Sequence, residues 1–90
     1  MILLKSNAKG KRYAVRVGGR LVNFGSDSYQ NYTTHKDPKR KINYISRHRT
    51  RENWNDPKTA GFWSRWVLWN KPSLSASFTD AVKRAEKLLK

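Results

Sequence analysis

The densest chemistry in the chain lies between His35 and Trp69. Seven cations, Lys36, Lys39, Arg40, Lys41, Arg47, Arg49 and Arg51, are followed by an aromatic group of Trp54, Phe62, Trp63, Trp66 and Trp69. Cations in such number recognise phosphate or carboxylate, and aromatic rings at this density either fill a core or anchor an interface. Catalysis would need a convergent acid, base or nucleophile. None is apparent. Asp37, Asp56 and Asp80 read as helix caps, and Asp27, Glu52 and Glu86 stand isolated among basic residues. His35 and His48 have no spaced carboxylates or cysteines to complete a metal site, and Gly18-Gly19 lacks the later Gly or Lys of a phosphate loop. The sequence therefore predicts no enzyme, no metal and no cofactor.

The balance of charge points the same way. Ninety residues carry 20 Lys and Arg against 6 Asp and Glu, a formal charge of +14. Charge runs usually form solvated faces. At +14, however, self-repulsion disfavours an isolated compact state, and a polyanion would relieve it. The expected partners are nucleic acid, chiefly duplex DNA, or acidic protein surfaces. The absence of cysteine excludes disulfides and thiolate sites, which fits a reducing compartment. Met1-Ile2-Leu3-Leu4 is too short for a signal segment, and no apolar run approaches the ~20 residues of a membrane span. The oligomeric state is not legible.

These residues must be positioned by a small α+β fold. Tyr13, Val15 and Val17 alternate with Ala14 and Arg16, the period of a half-buried strand. Gly18-Gly19 suits a two-residue hairpin loop, which pairs Val17 with Arg20, Val15 with Val22 and Tyr13 with Phe24. The N-terminal Ile2–Leu4 segment can add a third strand, and Gly25 should end the hairpin. Residues 26–34 read as an irregular polar connection, whose Tyr29 and Tyr32 either stack on a base or pack over the hairpin. Asp37-Pro38 signals a helix start, an Asp N-cap with Pro at the first position, and the helix should run to about Arg49. Its docking stripe is Ile42 and Ile45, with Tyr44 on another side. Asp56-Pro57 repeats the signal. The segment from Phe62 to Trp69 is apolar nearly all round and must be buried by something. Phe78, Ala81, Val82, Ala85, Leu88 and Leu89 make a C-terminal amphipathic helix, with Ser77 and Asp80 as its capping pair. One basic domain, 1–90, is expected. It comprises a β-hairpin region over 1–25, a basic and tryptophan-rich core motif over 35–72, and an amphipathic helix over 75–90, with two or three helices packed on the hairpin.

The words H-K-D-P, R-H-R-x-R-E-N-W and D-P-x-T-A-G-F-W-S-R-W-x-L-W-N-K-P run from His35 to Pro72. In them the sequence resembles a family of small basic proteins encoded by large nucleo-cytoplasmic DNA viruses. The resemblance implies a virion protein, made in the host cytoplasm or viral factory. It carries no activity and assigns no binding residues. Two non-catalytic functions are then expected. In the first, the basic helix binds DNA phosphate without sequence specificity, since long cations around a narrow apolar stripe suit backbone contact better than base reading. In the alternative, the protein is a minor capsid cement that bridges larger subunits through its Trp-rich segment while its cations meet acidic capsid surfaces.

Overall fold

The alternation of Tyr13, Val15 and Val17 builds the central strand of the molecule. The computed structural model describes residues 1–90 and holds three antiparallel strands in the order β1-β2-β3: β1 (Leu3–Lys5), β2 (Lys11–Val17) and β3 (Arg20–Ser26). The register is the one dictated by the Gly-Gly loop, with Val17 opposite Arg20, Val15 opposite Val22 and Tyr13 opposite Phe24. The Tyr13 and Phe24 ring centroids lie 6.1 Å apart, the cross-strand aromatic pair that the loop length requires. β1 adds the third strand, with Leu3 opposite Val15.

Four helical segments follow. They are α1 (Tyr32–His35), α2 (Pro38–His48), α3 (Ala60–Trp63), which runs directly into a π-helical segment Ser64–Leu68, and α4 (Leu74–Leu88). The fold is α+β. One face of the sheet, carrying Val15, Val17, Val22 and Phe24, closes on Phe62, Trp63, Val67 and Leu68, and Ala81 and Ala85 of α4 complete the core. Neither α1 nor α2 contributes a buried residue. On the opposite face Ile2, Leu4 and Leu21 are exposed, while Ala14, between Leu4 and Asn23 in the register, is buried.

Several local expectations are corrected. Gly25 does not end the hairpin, because β3 continues through it to Ser26. Its φ of +80° and the approach of Leu68, whose Cδ1 would lie 2.6 Å from an added Cβ, make glycine the residue that lets the sheet close on the π segment. The 26–34 connection is not wholly irregular. Asn31 caps α1 by accepting from the Thr33 amide, while Thr34 Oγ1 accepts from the Asn31 amide, a reciprocal capping box. Asp56 does not start a helix. It closes a turn by accepting from the Lys58 amide at 3.0 Å. The Pro57 carbonyl is taken by the Trp63 indole at 2.7 Å, so the helix waits for Thr59, whose hydroxyl accepts from the Phe62 amide. The last helix also begins earlier than expected. Ser73 is its N-cap, and Ser77 lies one turn inside, buried, with its hydroxyl joined to both the amide and the carbonyl of Lys71. Of the stripe on α4, Ala81 and Ala85 are buried, whereas Leu88 and Leu89 emerge into solvent.

Candidate nucleic-acid interface

α2 begins as its sequence requires. Asp37 accepts from the Lys39 amide at 3.0 Å, and Pro38 sits at the first position. Of the expected aliphatic stripe only Ile45 docks. Ile42 is 62% exposed and points away from the core. The docking face is formed by Lys41, Tyr44, Ile45 and His48, all partly buried. Tyr44 lies flat on Trp69, with centroids 4.3 Å apart and planes 5° from parallel, and His48 stacks on the same Tyr44 ring, also at 4.3 Å. Burial, together with the nearby Glu52 carboxylate, pushes the Tyr44 hydroxyl well above its ordinary pKa. His35 extends the aromatic group, 5.3 Å from Trp69. Its Nδ1 accepts from the Asp37 amide, which leaves the hydrogen of the neutral ring on Nε2. Desolvation, and then Arg40, hold its pKa below the usual histidine value.

This docking sorts the seven cations. Lys41 turns inward: its ammonium donates to the Asn70 carbonyl at 2.6 Å and lies 5.0 Å from the centre of the Tyr32 ring. Desolvation lowers its pKa, and Arg65 and Lys71 lower it further. Lys36, at φ 56°, ends α1 and donates to the Thr33 carbonyl. The remaining five, Lys39, Arg40, Arg47, Arg49 and Arg51, are exposed. Three of them lie on α2: seven residues place Arg40 and Arg47 nearly in line on one flank, and Lys39 falls on the outer side with Ile42, while Arg49 is the C-cap and Arg51 lies in the turn that follows.

Arg40 and Arg47 overlook a cleft of about 770 Å³ between α2, the end of the hairpin and α3. Its other walls include Lys11, Tyr29, Asn43, Tyr44, Trp69 and Glu52. Lys11 and Tyr29 lie outside the basic stretch of the sequence. Tyr29 stands in the polar connection where base stacking was one reading, whereas nothing local to Lys11 marks it. Glu52 is the only carboxylate in the cleft, and it is engaged. It accepts from the Trp54 indole at 2.9 Å and lies 3.3 Å from His48 Nδ1.

The tryptophans are largely occupied within the chain. Trp63 is fully buried, Phe62 likewise, and Trp54, Trp66 and Trp69 are half-buried. Two indole N–H groups tie the irregular segment 49–59 to the helices, Trp63 donating to the Pro57 carbonyl and Trp66 to the Trp54 carbonyl at 3.0 Å, and a third, from Trp54 to Glu52, braces the segment internally. Two guanidinium groups cover Trp66, Arg84 at 3.7 Å and Arg65 at 4.2 Å from its centre. Arg65 also donates to the Trp69 carbonyl at the end of the π segment, leaving its Nε buried without a partner. Desolvation, and then repulsion from Arg84, lower the Arg65 pKa from its very high starting value.

The electrostatic result is one-sided. Of the 20 Lys and Arg, only Arg84 forms an ion pair, with Asp80 at 2.8 Å; the other short contact to a carboxylate is that of His48 Nδ1 with Glu52. The bond to Arg84 holds the Asp80 carboxyl below the usual carboxylate range, and a bond from Asn70 adds to it. No group of three or more His, Cys, Asp or Glu gathers as a metal site, and no helix is long and apolar enough to cross a membrane.

The chain belongs to a family of unknown function, DUF5754, whose family model matches residues 1–48. The matched region takes in the sheet, α1 and α2, and stops before the tryptophan segment. No curated protein and no solved structure matches the chain.

Proposed function

We propose that this member of a family without an assigned activity is a non-catalytic polyanion-binding protein, and that its ligand is chiefly DNA phosphate, bound without sequence specificity. The observation that carries the reading is the unpaired charge: a +14 chain with one Lys or Arg ion pair, and a basic helix that buries no residue. A helix held mainly by an aromatic stack, with the turn that follows it, leaves five cations for phosphates, and released counterions would drive the association. Side chains spread over two flanks follow a backbone more readily than they read base edges. The resemblance of residues 35–72 to basic proteins of large DNA viruses supports a place in a virion. In that setting the cations would neutralise packaged genome.

A second reading has its own support. The exposed Ile2, Leu4 and Leu21 face of the sheet is an apolar surface of the kind that protein contacts cover. A capsid cement would use that face together with the half-buried edges of Trp54, Trp66 and Trp69, since Trp63 is wholly enclosed. Two experiments separate the readings. Duplexes of unrelated sequence should bind with equal affinity at low salt; absence of binding there refutes the DNA reading. In fractionated virus particles the protein should travel with the genome. Recovery in the emptied shell, at fixed positions between capsid subunits, would establish the cement.

A further inference from the structure

The cleft beside α2 has features that a duplex-binding surface does not need. Its volume of about 770 Å³ falls in the range of small-ligand sites, ~300–1,000 Å³. A paired duplex cannot insert a base into it, because its bases are stacked inside the helix, whereas an unpaired strand can splay one out. At the cleft stands Tyr29, 75% exposed. Its backbone is nonetheless fixed. Arg12 donates to the Tyr29 carbonyl at 3.0 Å, and the Asn31 capping box holds the chain two residues later. An exposed ring on an anchored backbone is prepared for stacking, and stacking accepts any base because every base has a π face. Cations stand on two sides of it, Arg40 and Arg47 from α2 and Lys11 from the start of β2. Asn43, from the same wall as the arginines, offers both a donor and an acceptor to a base edge. The one carboxylate is already bonded to an indole and an imidazole.

We propose that this cleft accepts an unstacked nucleotide of a single-stranded nucleic acid, its base against the Tyr29 ring and its phosphates on Arg40, Arg47 and Lys11. The proposal rests on the polyanion-binding reading and deepens it: the basic helix supplies affinity for any phosphate backbone, and the cleft adds a preference for an unpaired strand.

The test uses the full chain and two labelled probes, an oligothymidine of about 12 nucleotides, within the usual site size of single-strand binders, and a duplex of matching length. Tyr29→Ala should weaken single-strand binding about tenfold and change duplex binding by less than about twofold, while Tyr29→Phe retains single-strand affinity. The ring packs into no core, so all three proteins should melt together. If Tyr29→Ala leaves single-strand binding unchanged, or weakens both probes equally, the cleft proposal is overturned and the polyanion reading stands. If neither probe binds wild type at low salt, both fall.

Discussion

Two cations on the same helix, Lys41 and Arg47, should behave in opposite ways when their charge is removed. Both belong to the basic run, and a reading of composition treats them alike. In the folded chain the Arg47 guanidinium is exposed above the cleft, whereas the Lys41 ammonium is spent on the Asn70 carbonyl, 2.6 Å away, and on the Tyr32 ring. A cation that contacts phosphate contributes about 0.9 to the slope of log affinity against log salt. Arg47→Gln should therefore flatten that slope by about one and weaken every DNA sequence alike. Between ~50 and ~200 mM salt, a loss of that size changes the affinity ratio about 3.5-fold, well within the resolution of an anisotropy titration. Lys41→Gln should leave the slope unchanged and reduce stability instead. A charge-assisted hydrogen bond of this kind contributes ~1.5–3 kcal/mol and a cation–π contact ~0.5–1. Desolvation and repulsion from Arg65 and Lys71 oppose both, as the depressed Lys41 pKa records, so the net loss is about 1 kcal/mol. Urea unfolding followed by tryptophan fluorescence reads it, because Trp63 is buried in the folded state and exposed on unfolding. If Lys41→Gln flattens the salt slope as much as Arg47→Gln does, the sorting of the cations by the aromatic dock is wrong.

Two further predictions concern the scaffold. Gly18 and Gly25 both have positive φ, but an added Cβ meets nothing within 4 Å at Gly18 and overlaps Leu68 at Gly25. Gly18→Ala should cost ~1–2 kcal/mol for backbone strain alone, and Gly25→Ala about 1–3 kcal/mol more by urea unfolding, because Leu68 is buried and cannot move aside without cost; equal losses would refute the close packing of π segment on sheet. Asp80 governs an acid-range effect. Its carboxyl is depressed in the folded chain, so on acidification the unfolded chain takes up its proton first, near the ordinary value of about 3.9. The stabilisation is present above that pH and is lost as pH falls through the folded value. Asp80→Asn should therefore remove up to ~1 kcal/mol at neutral pH and make the stability profile less steep below about pH 4, measured by thermal melting across pH.

The hairpin was legible because two local signals agreed. Gly18-Gly19 sets the loop length, and the alternation on each side admits only the register that joins Tyr13 to Phe24. The start of α2 was legible for a similar reason, since Asp37-Pro38 acts within one turn of itself. The face of α2 was not. Aliphatic periodicity favours Ile42 and Ile45, and Ile45 does dock, but the rest of the face turns to the flat ring of Trp69, which Tyr44 meets and Ile42 does not. Asn31 and Thr34 carried a readable capping signal, yet α1 has four residues and no apolar period to draw attention to it. The tryptophans were legible as a group that must be buried, but not as donors to the 52–57 segment, because those bonds depend on where an irregular loop comes to rest. The cleft was least visible of all. It brings Lys11 and Tyr29 from the end of the hairpin beside Arg40, Arg47 and Gly61, and no spacing within one segment encodes that meeting.

The central claim is that exposed, unpaired cations on α2 and the turn after it bind nucleic-acid phosphate regardless of sequence. Its most direct test is the affinity of the wild-type chain for two duplexes of unrelated sequence, titrated from about 50 to 200 mM salt. Five available cations predict parallel lines for the two duplexes, with slopes of about −3 to −4.5. Affinity that is insensitive to salt, or confined to one of the two sequences, would contradict the account.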